Sequence, residues 1–186
     1  MGKILKDLQR HLMTATSYMI LFVVPGGIYF ALSVMMNGKG AVPTEGIAAQ
    51  LNQIGSAGLA LFIPALGGYI AYSIAEKAGI GPGFIGAYLA REIGAGFIGG
   101  IIAGFIAGYL VVLLRKAFAK LPEALEKIAP VLLYPLLGIL GIGLIMMFCI
   151  EPPIGALNTA LNTGLTNMGG TSKILLGIVV AGMMSI

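Results

Sequence analysis

The run Ile93-Gly94-Ala95-Gly96-Phe97-Ile98-Gly99-Gly100-Ile101-Ile102-Ala103-Gly104-Phe105-Ile106-Ala107-Gly108-Tyr109-Leu110-Val111-Val112-Leu113-Leu114 contains no charged side chain. A helix needs about 20 largely apolar residues to cross about 30 Å of hydrocarbon, and this run meets that length. Within it Gly96, Gly100, Gly104 and Gly108 recur every fourth residue, and Ala95, Gly99, Ala103 and Ala107 repeat the period one position earlier. Fourfold spacing stacks side chains along one helix face. Where those side chains are missing, another backbone can approach closely and gain dispersion contacts that lipid does not supply. The face reads either as a helix-packing surface or as a sliding or pore-lining one.

Working outward, the same character holds along the chain. Of its 186 residues 58% are hydrophobic and 10% charged, against roughly 25% charged in a soluble domain. The mean hydropathy is +0.99, so water is not the main solvent of this protein. The charges cluster at Lys3–Arg10, Lys39–Glu45, Glu76-Lys77, Arg91-Glu92 and Arg115–Lys127, with Glu151 and Lys173 alone. Between clusters, Leu12–Gly38, Gly46–Ala75, Ile93–Leu114 and Ile128–Ile150 are each long enough to span a bilayer. The expected fold class is all-α: a polytopic transmembrane helix bundle with Gly/Pro-broken spans and short interfacial or re-entrant helices.

Residues 1–12 read as a separate interfacial amphipathic helix, with Ile4, Leu5, Leu8 and Leu12 on one stripe and Lys3, Lys6 and Arg10 outside it. A first span from Met13 to Met36 carries Pro25-Gly26-Gly27, where a loose or kinked turn is expected. The second span, Ile54–Ala75, includes Pro64 and follows a polar stretch with Gln50, Asn52 and Gln53. Ala78–Ala90 is apolar, rich in Gly and Pro, and too short to cross, which predicts a re-entrant or interfacial element. Arg115–Lys127 reads as a solvated or interfacial connector, with Pro122 placed to open a short helix. The fourth span, Ala129–Ile150, is expected to stop at Glu151-Pro152-Pro153.

From Ile154 to Met168 an apolar stripe faces uncharged Asn158, Thr159, Asn162, Thr163, Thr166 and Asn167. Amides and hydroxyls of this kind can bond a neutral polyhydroxylated ligand across a wet cavity, or can face water from a helix at headgroup level. The run Ile174–Ile186 is half a span, which points to a longer polypeptide. Orientation meets a conflict. With the basic amino terminus inside, three simple crossings leave the Arg115–Lys127 connector outside, against the positive-inside rule. Either the rule fails here or one Gly/Pro-broken segment does not cross as counted.

Much chemistry is excluded. The single His11 lies beside the first basic cluster and no aspartate lies in any span, so a Ser-His-Asp triad, paired carboxylates and a zinc cluster are missing. No nucleotide-binding phosphate loop occurs, and no cofactor or metal is implied. The basic residues read as topological signals and not as a nucleic-acid surface. Cys149 cannot form an internal disulfide, and in its apolar run it reads as a small buried hydrophobe. Glu151 is an acid at a span end, either a functional group or a solvated helix-end carboxylate. Arg91 and Glu92 read likewise as a headgroup anchor or as part of a route.

His11-Leu12-Met13-Thr14, Pro25-Gly26-Gly27-Ile28, Gly68–Ala75, Pro82–Gly86, Ala95–Gly104, Tyr134–Gly138 and Pro152-Pro153 with Ala156–Leu161 occur in one order along the whole chain. This ordered set resembles the fructose-specific permease component, IIC, of the phosphoenolpyruvate-dependent sugar phosphotransferase system. The resemblance implies a multi-pass protein of the bacterial inner membrane that translocates fructose or a related hexose. It further implies phosphorylation of the sugar by a phosphocysteine on a IIB partner, itself supplied by IIA, with Cys149 unlike that nucleophile. The later Gly-Gly-Pro-x-Asn-Lys and Ile-Thr-Glu-Gly motifs of the family do not occur in these residues. Residues 13–186 therefore resemble an amino-terminal scaffold and dimerisation part, truncated in a fifth span and forming a homodimer in lipid. Asn158, Thr159, Asn162 and Glu151 then supply at most one wall of a sugar cavity, and Gly96, Gly100, Gly104 and Gly108 a packing face. A different class of reading is a non-transporting membrane scaffold that docks a partner through Arg115–Lys127.

Overall fold

The computed structural model describes residues 2–38, 41–118 and 132–154, together with 156 and 163. Among the described residues six helices occur in order: α1 (Gly2–Asn37), α2 (Gly46–Ala60), α3 (Phe62–Ala75), α4 (Lys77–Glu92), α5 (Gly96–Ala117) and α6 (Tyr134–Ile145), the last continuing into a π-helical turn at Met146–Ile150. Four segments among the described residues are long and apolar enough to cross a membrane: Lys6–Asn37, Gly46–Ala75, Gly96–Ala117 and Tyr134–Ile154. No strand occurs among the described residues.

Several expectations change. No break separates residues 1–12 from the first span, because α1 is one helix of 36 residues that also runs through Pro25. The loose turn expected at Pro25-Gly26-Gly27 is not there. Proline costs a helix one N–H bond but does not force an interruption. The second span is instead two helices, with Leu61 in turn geometry between α2 and α3 and Pro64 in the first turn of α3. Residues 78–90 lie within α4, a 16-residue helix, roughly 24 Å long, that runs alongside α3 and α5. Its buried face consists of small residues and a proline, including Ala78, Gly79, Gly83, Gly86 and Ala87. A helix enclosed by protein need not offer twenty apolar residues to lipid. The fourth span does not stop at Glu151, since helix geometry continues to Ile154.

Side-chain pairings give the order of packing. His11 meets Ser73 and Tyr18 stacks on Tyr69 with 4.1 Å between ring centroids, while Asn52 meets Ser33. Thus α1 is antiparallel to α3 through its first half and to α2 through its second. A Cβ on Gly83 would strike Ala71 and Gly67, so α4 returns along α3. On α5, Gly100 faces Ile63, Gly104 faces Gly67, and Gly108 faces Ile74 and Ala71. Helix α5 therefore runs parallel to α3. Helix α6 places Gly138 against Pro82 and Val111, and Ile142 against Gly86, which makes it parallel to α4.

The two rows of small residues on α5 serve two partners. Gly100, Gly104 and Gly108 lie on α3, where a Cβ on Gly104 would come within 2.7 Å of the Gly67 carbonyl oxygen. Gly99 faces Ala90, and Ala103 packs near Gly86, both on α4. Gly96 does not share in the contact: its φ is +57° and no neighbour lies within 4 Å of a Cβ placed there. It serves the α4–α5 turn with Gly94, whose φ is +77°. Ala71, Ala87, Ala90, Ala103, Ala107, Ile142 and Met146, all buried, form the core where α3, α4, α5 and α6 meet.

Candidate functional site

Three departures from regular helix gather at one end of the α3–α6 bundle. The first is the α2–α3 break. A regular helix would have residue 64 donate to the carbonyl of residue 60, but Pro64 has no N–H. The freed Ala60 carbonyl accepts instead from Arg91 Nη1 of α4, at 3.1 Å. The second is the α4–α5 turn with its two left-handed glycines. The third is the π turn of α6, in which Glu151 N–H donates to the carbonyl of Met146. Pro152 and Pro153 follow at once, and the wider turn precedes the point where two donors are missing. Ile150 packs on the same cluster as Ile63, Ala90 and Ile93, so Glu151 belongs to this end of the bundle.

Of the residues expected at the site, Glu151 is exposed directly after the π turn and makes no ion pair among the described residues. Arg91 and Glu92 are exposed at the same end. Asn158, Thr159 and Asn162 lie outside the described residues, as do Ile174–Ile186 and most of the Arg115–Lys127 connector. Cys149 is not buried as expected: it is free and exposed, beside Met147 and Phe148 at 53% and 74% exposure. The π turn rotates these three outward while Met146 stays fully buried. Sequence reading missed the role of Arg91, although Pro64 already marked Ala60 as a carbonyl needing a donor from elsewhere.

The opposite end is built differently. Helix α3 stops at Ala75, and Glu76, with a φ of +53°, turns the chain straight into α4. Arg115 Nη2 of α5 donates to the Ala75 carbonyl at 2.7 Å, satisfying a helix-end acceptor. The Glu76 carboxylate is 4.0 Å from the same guanidinium but 83% exposed, so this pair contributes little. Near this end His11 Nδ1 and Ser73 Oγ share a hydrogen bond of 2.6 Å, with Phe105 edge-on to the imidazole. Elsewhere, the groove between α4 and α6, lined by Ile85, Leu89, Ile139, Leu140 and Met147, is wholly apolar and holds nothing to orient a hydroxylated ligand. The broken-helix end brings polar groups together with interrupted helices, the combination with which carriers build substrate sites in lipid.

Comparison with known proteins bears on what such an end serves. A PTS system fructose-specific EIIABC component of Bacillus subtilis is 42% identical over 182 residues, 95% of this chain and 29% of the relative. A fructose-like permease IIC component 2 of Escherichia coli is 42% identical over 187 residues, 98% of this chain and 51% of the relative. A PTS system fructose-specific EIIB'BC component of Xanthomonas campestris is 48% identical over 180 residues, 95% of this chain and 31% of the relative. The chain spans about half the length, or less, of these curated relatives. Neither a family model nor a solved structure matches it. Similarity at this level over nearly every residue, on a framework of helices long and apolar enough to cross a membrane, fits the chain to part of the IIC domain of the fructose-specific components of the sugar phosphotransferase system.

Proposed function

We propose that the chain is the membrane-embedded part of a sugar permease that carries fructose or a related hexose across the cytoplasmic membrane for phosphorylation by a IIB partner. The single observation that carries this reading is the 42% identity, over 95% and 98% of the chain, to proteins named as fructose-specific or fructose-like components. Relatives named EIIABC and EIIB'BC support IIB and IIA as its partners. In this reading residues 13–186 form a scaffold on which the sugar cavity is completed by further chain, and two copies associate in the bilayer. Glu151, at the broken-helix end, accepts hydrogen bonds from sugar hydroxyls together with Asn158, Thr159 and Asn162.

The test is phosphoenolpyruvate-dependent formation of sugar phosphate inside vesicles that carry the complete gene product, with the soluble phosphocarrier, IIA and IIB proteins supplied. Labelled fructose and mannose are offered separately. Internal sugar phosphate that requires both IIB and the membrane protein is the expected result. No product with any hexose, from correctly inserted protein, sinks the transport reading.

A further inference from the structure

Helix α5 meets α3 through Gly100, Gly104 and Gly108 and meets α4 through Gly99 and Ala103. Its remaining face is built of large residues. Phe105, Ile106, Tyr109, Leu110 and Leu113 line an apolar groove of about 370 Å³. Phe105 stands edge-on to His11 of α1, and Leu110 lies against Gly141 of α6, so α1 and α6 flank the groove and α5 forms its floor. Tyr109 and Leu113 are 55% and 62% exposed. Where α5 packs on another helix it offers glycine and alanine, which let backbones approach, and a face of large side chains leaves a furrow instead.

The groove has a charged end. Phe105, Tyr109, Leu113 and Lys116 follow at intervals of four, four and three residues, which puts Lys116 on the same face of α5. Lys116 is exposed and makes no ion pair among the described residues. Its neighbour Arg115 is committed to the Ala75 carbonyl and has the Glu76 carboxylate at 4.0 Å. Two cations against one anion leave the mouth of the groove with one positive charge. Phe105 lies eleven residues before Lys116, roughly 16 Å along the helix. That is close to the depth of one leaflet, about 15 Å of a hydrocarbon core of about 30 Å. The matching ligand has an apolar chain of leaflet length and a negative charge at its end.

We propose that this groove binds an anionic phospholipid, with an acyl chain along Phe105, Tyr109 and Leu113 and the headgroup phosphate on Lys116. One lysine near the membrane surface favours an anionic headgroup by about fivefold in binding. A zwitterionic lipid brings the same chains without the net charge, so the groove retains it less well. Bound there, the lipid touches α1 and α6 at once and fills the notch between them. The site lies at the other end of the bundle from Arg91 and Glu151, and it does not depend on the cargo.

The test is native mass spectrometry of the full gene product, delipidated in detergent and titrated with phosphatidylglycerol or phosphatidylcholine in mixed micelles. Lys116→Gln should weaken phosphatidylglycerol binding by about fivefold and leave phosphatidylcholine binding unchanged, and Lys116→Arg should bind as the native protein does. Leu113→Trp, which fills the groove from an exposed position, should also weaken phosphatidylglycerol binding, whereas Leu140→Trp in the α4–α6 groove should not. Unchanged phosphatidylglycerol binding in Lys116→Gln overturns the proposal, as does an equal loss for both lipids. Unchanged binding in Leu113→Trp removes the chain from the groove and overturns it as well. Displacement of phosphatidylglycerol by excess inorganic phosphate would make Lys116 a site for the free anion, again against the lipid assignment.

Discussion

The α1–α2 hairpin and the α3–α6 bundle both rely on glycine, yet they use it differently. In the bundle, small residues occur on facing surfaces of three helices, and 39% of the apolar window within Gly96–Ala117 is buried. In the hairpin one seam does the work: Gly26 lies against Gly55, Gly58 and Leu59, and only 11% of the α1 window is buried. Met35, Leu21 and Met36 are 76%, 66% and 58% exposed. Close packing on all sides makes the bundle a cooperative unit, whereas a single seam makes the hairpin separable. Substitutions at the two kinds of glycine should therefore have unlike consequences.

The largest effect is expected from Gly104→Val. Its Cβ alone would lie 2.7 Å from the Gly67 carbonyl oxygen and 2.8 Å from Gly67 Cα. Both atoms are backbone, so no rotamer change relieves the clash and α3 and α5 must separate. Overpacking of a tight core costs about 1–3 kcal/mol or more. Loss of most monodisperse protein on size exclusion in mild detergent is the expected outcome. Gly143→Val, with no neighbour within 4 Å, is the control and should leave the profile intact.

Next comes Gly55→Ala in the hairpin. The new methyl would collide with the Phe30 backbone and sit 2.8 Å from the Gly26 carbonyl oxygen. Here the second half of α1 can swing away from α2 without disturbing α5. The expected result is a loss of disulfide cross-linking between cysteines placed at Ser33 and Asn52, whose side chains bond at 3.1 Å, with an unchanged melting profile of the bundle. Joint loss of cross-linking and bundle stability would show that the two regions are one cooperative unit.

The comparison also explains what could be read from the sequence. Charge clusters separate the spans because ionised groups avoid hydrocarbon, and this made α1, α3, α5 and α6 legible. Helix α4 was legible only as a short apolar, Gly/Pro-rich element, because its regular helix is sustained by packing along α3 and α5 and not by a pattern of its own. The two small-residue rows of α5 were visible, but α3 and α4 as their respective partners were not, since spacing reports a face and never its neighbour. Gly96 fits the period and yet, as the first residue of α5 with a left-handed φ, meets no neighbour: periodicity does not say where a helix begins. Of the candidate site, the hydroxyl and amide residues after Ile154 fall outside the described part, and only Glu151 has a place in the fold.

A smaller effect is expected at His11→Ala. The substitution removes the bond to Ser73 and the edge contact with Phe105, which together tie α1 to α3 and α5. Interhelical hydrogen bonds in membrane proteins contribute about 0.6 kcal/mol on average, up to about 1.7. A double-mutant cycle with Ser73→Ala, read by thermal inactivation, should give a coupling within that range. A coupling of zero would mean that the side chains touch without stabilising the seam.

The smallest effect, and the one that isolates the junction between the regions, is expected at Arg91. Its guanidinium donates to Ala60 because Pro64 cannot, and it is exposed, so solvent competes for the same carbonyl. The loss in Arg91→Ala is therefore near the lower end for a hydrogen bond, about 0.5–1 kcal/mol. In Pro64→Ala the residue regains an N–H, and regular i→i−4 geometry places that donor on the carbonyl of Ala60. Arg91 then becomes redundant, and Arg91→Ala should cost nothing measurable when combined with Pro64→Ala. The same double substitution should stiffen the α2–α3 junction, seen as slower amide exchange at Leu61. If Arg91→Ala is equally harmful with and without Pro64, the arginine acts through some other contact and the hairpin is not tied to the bundle at this carbonyl.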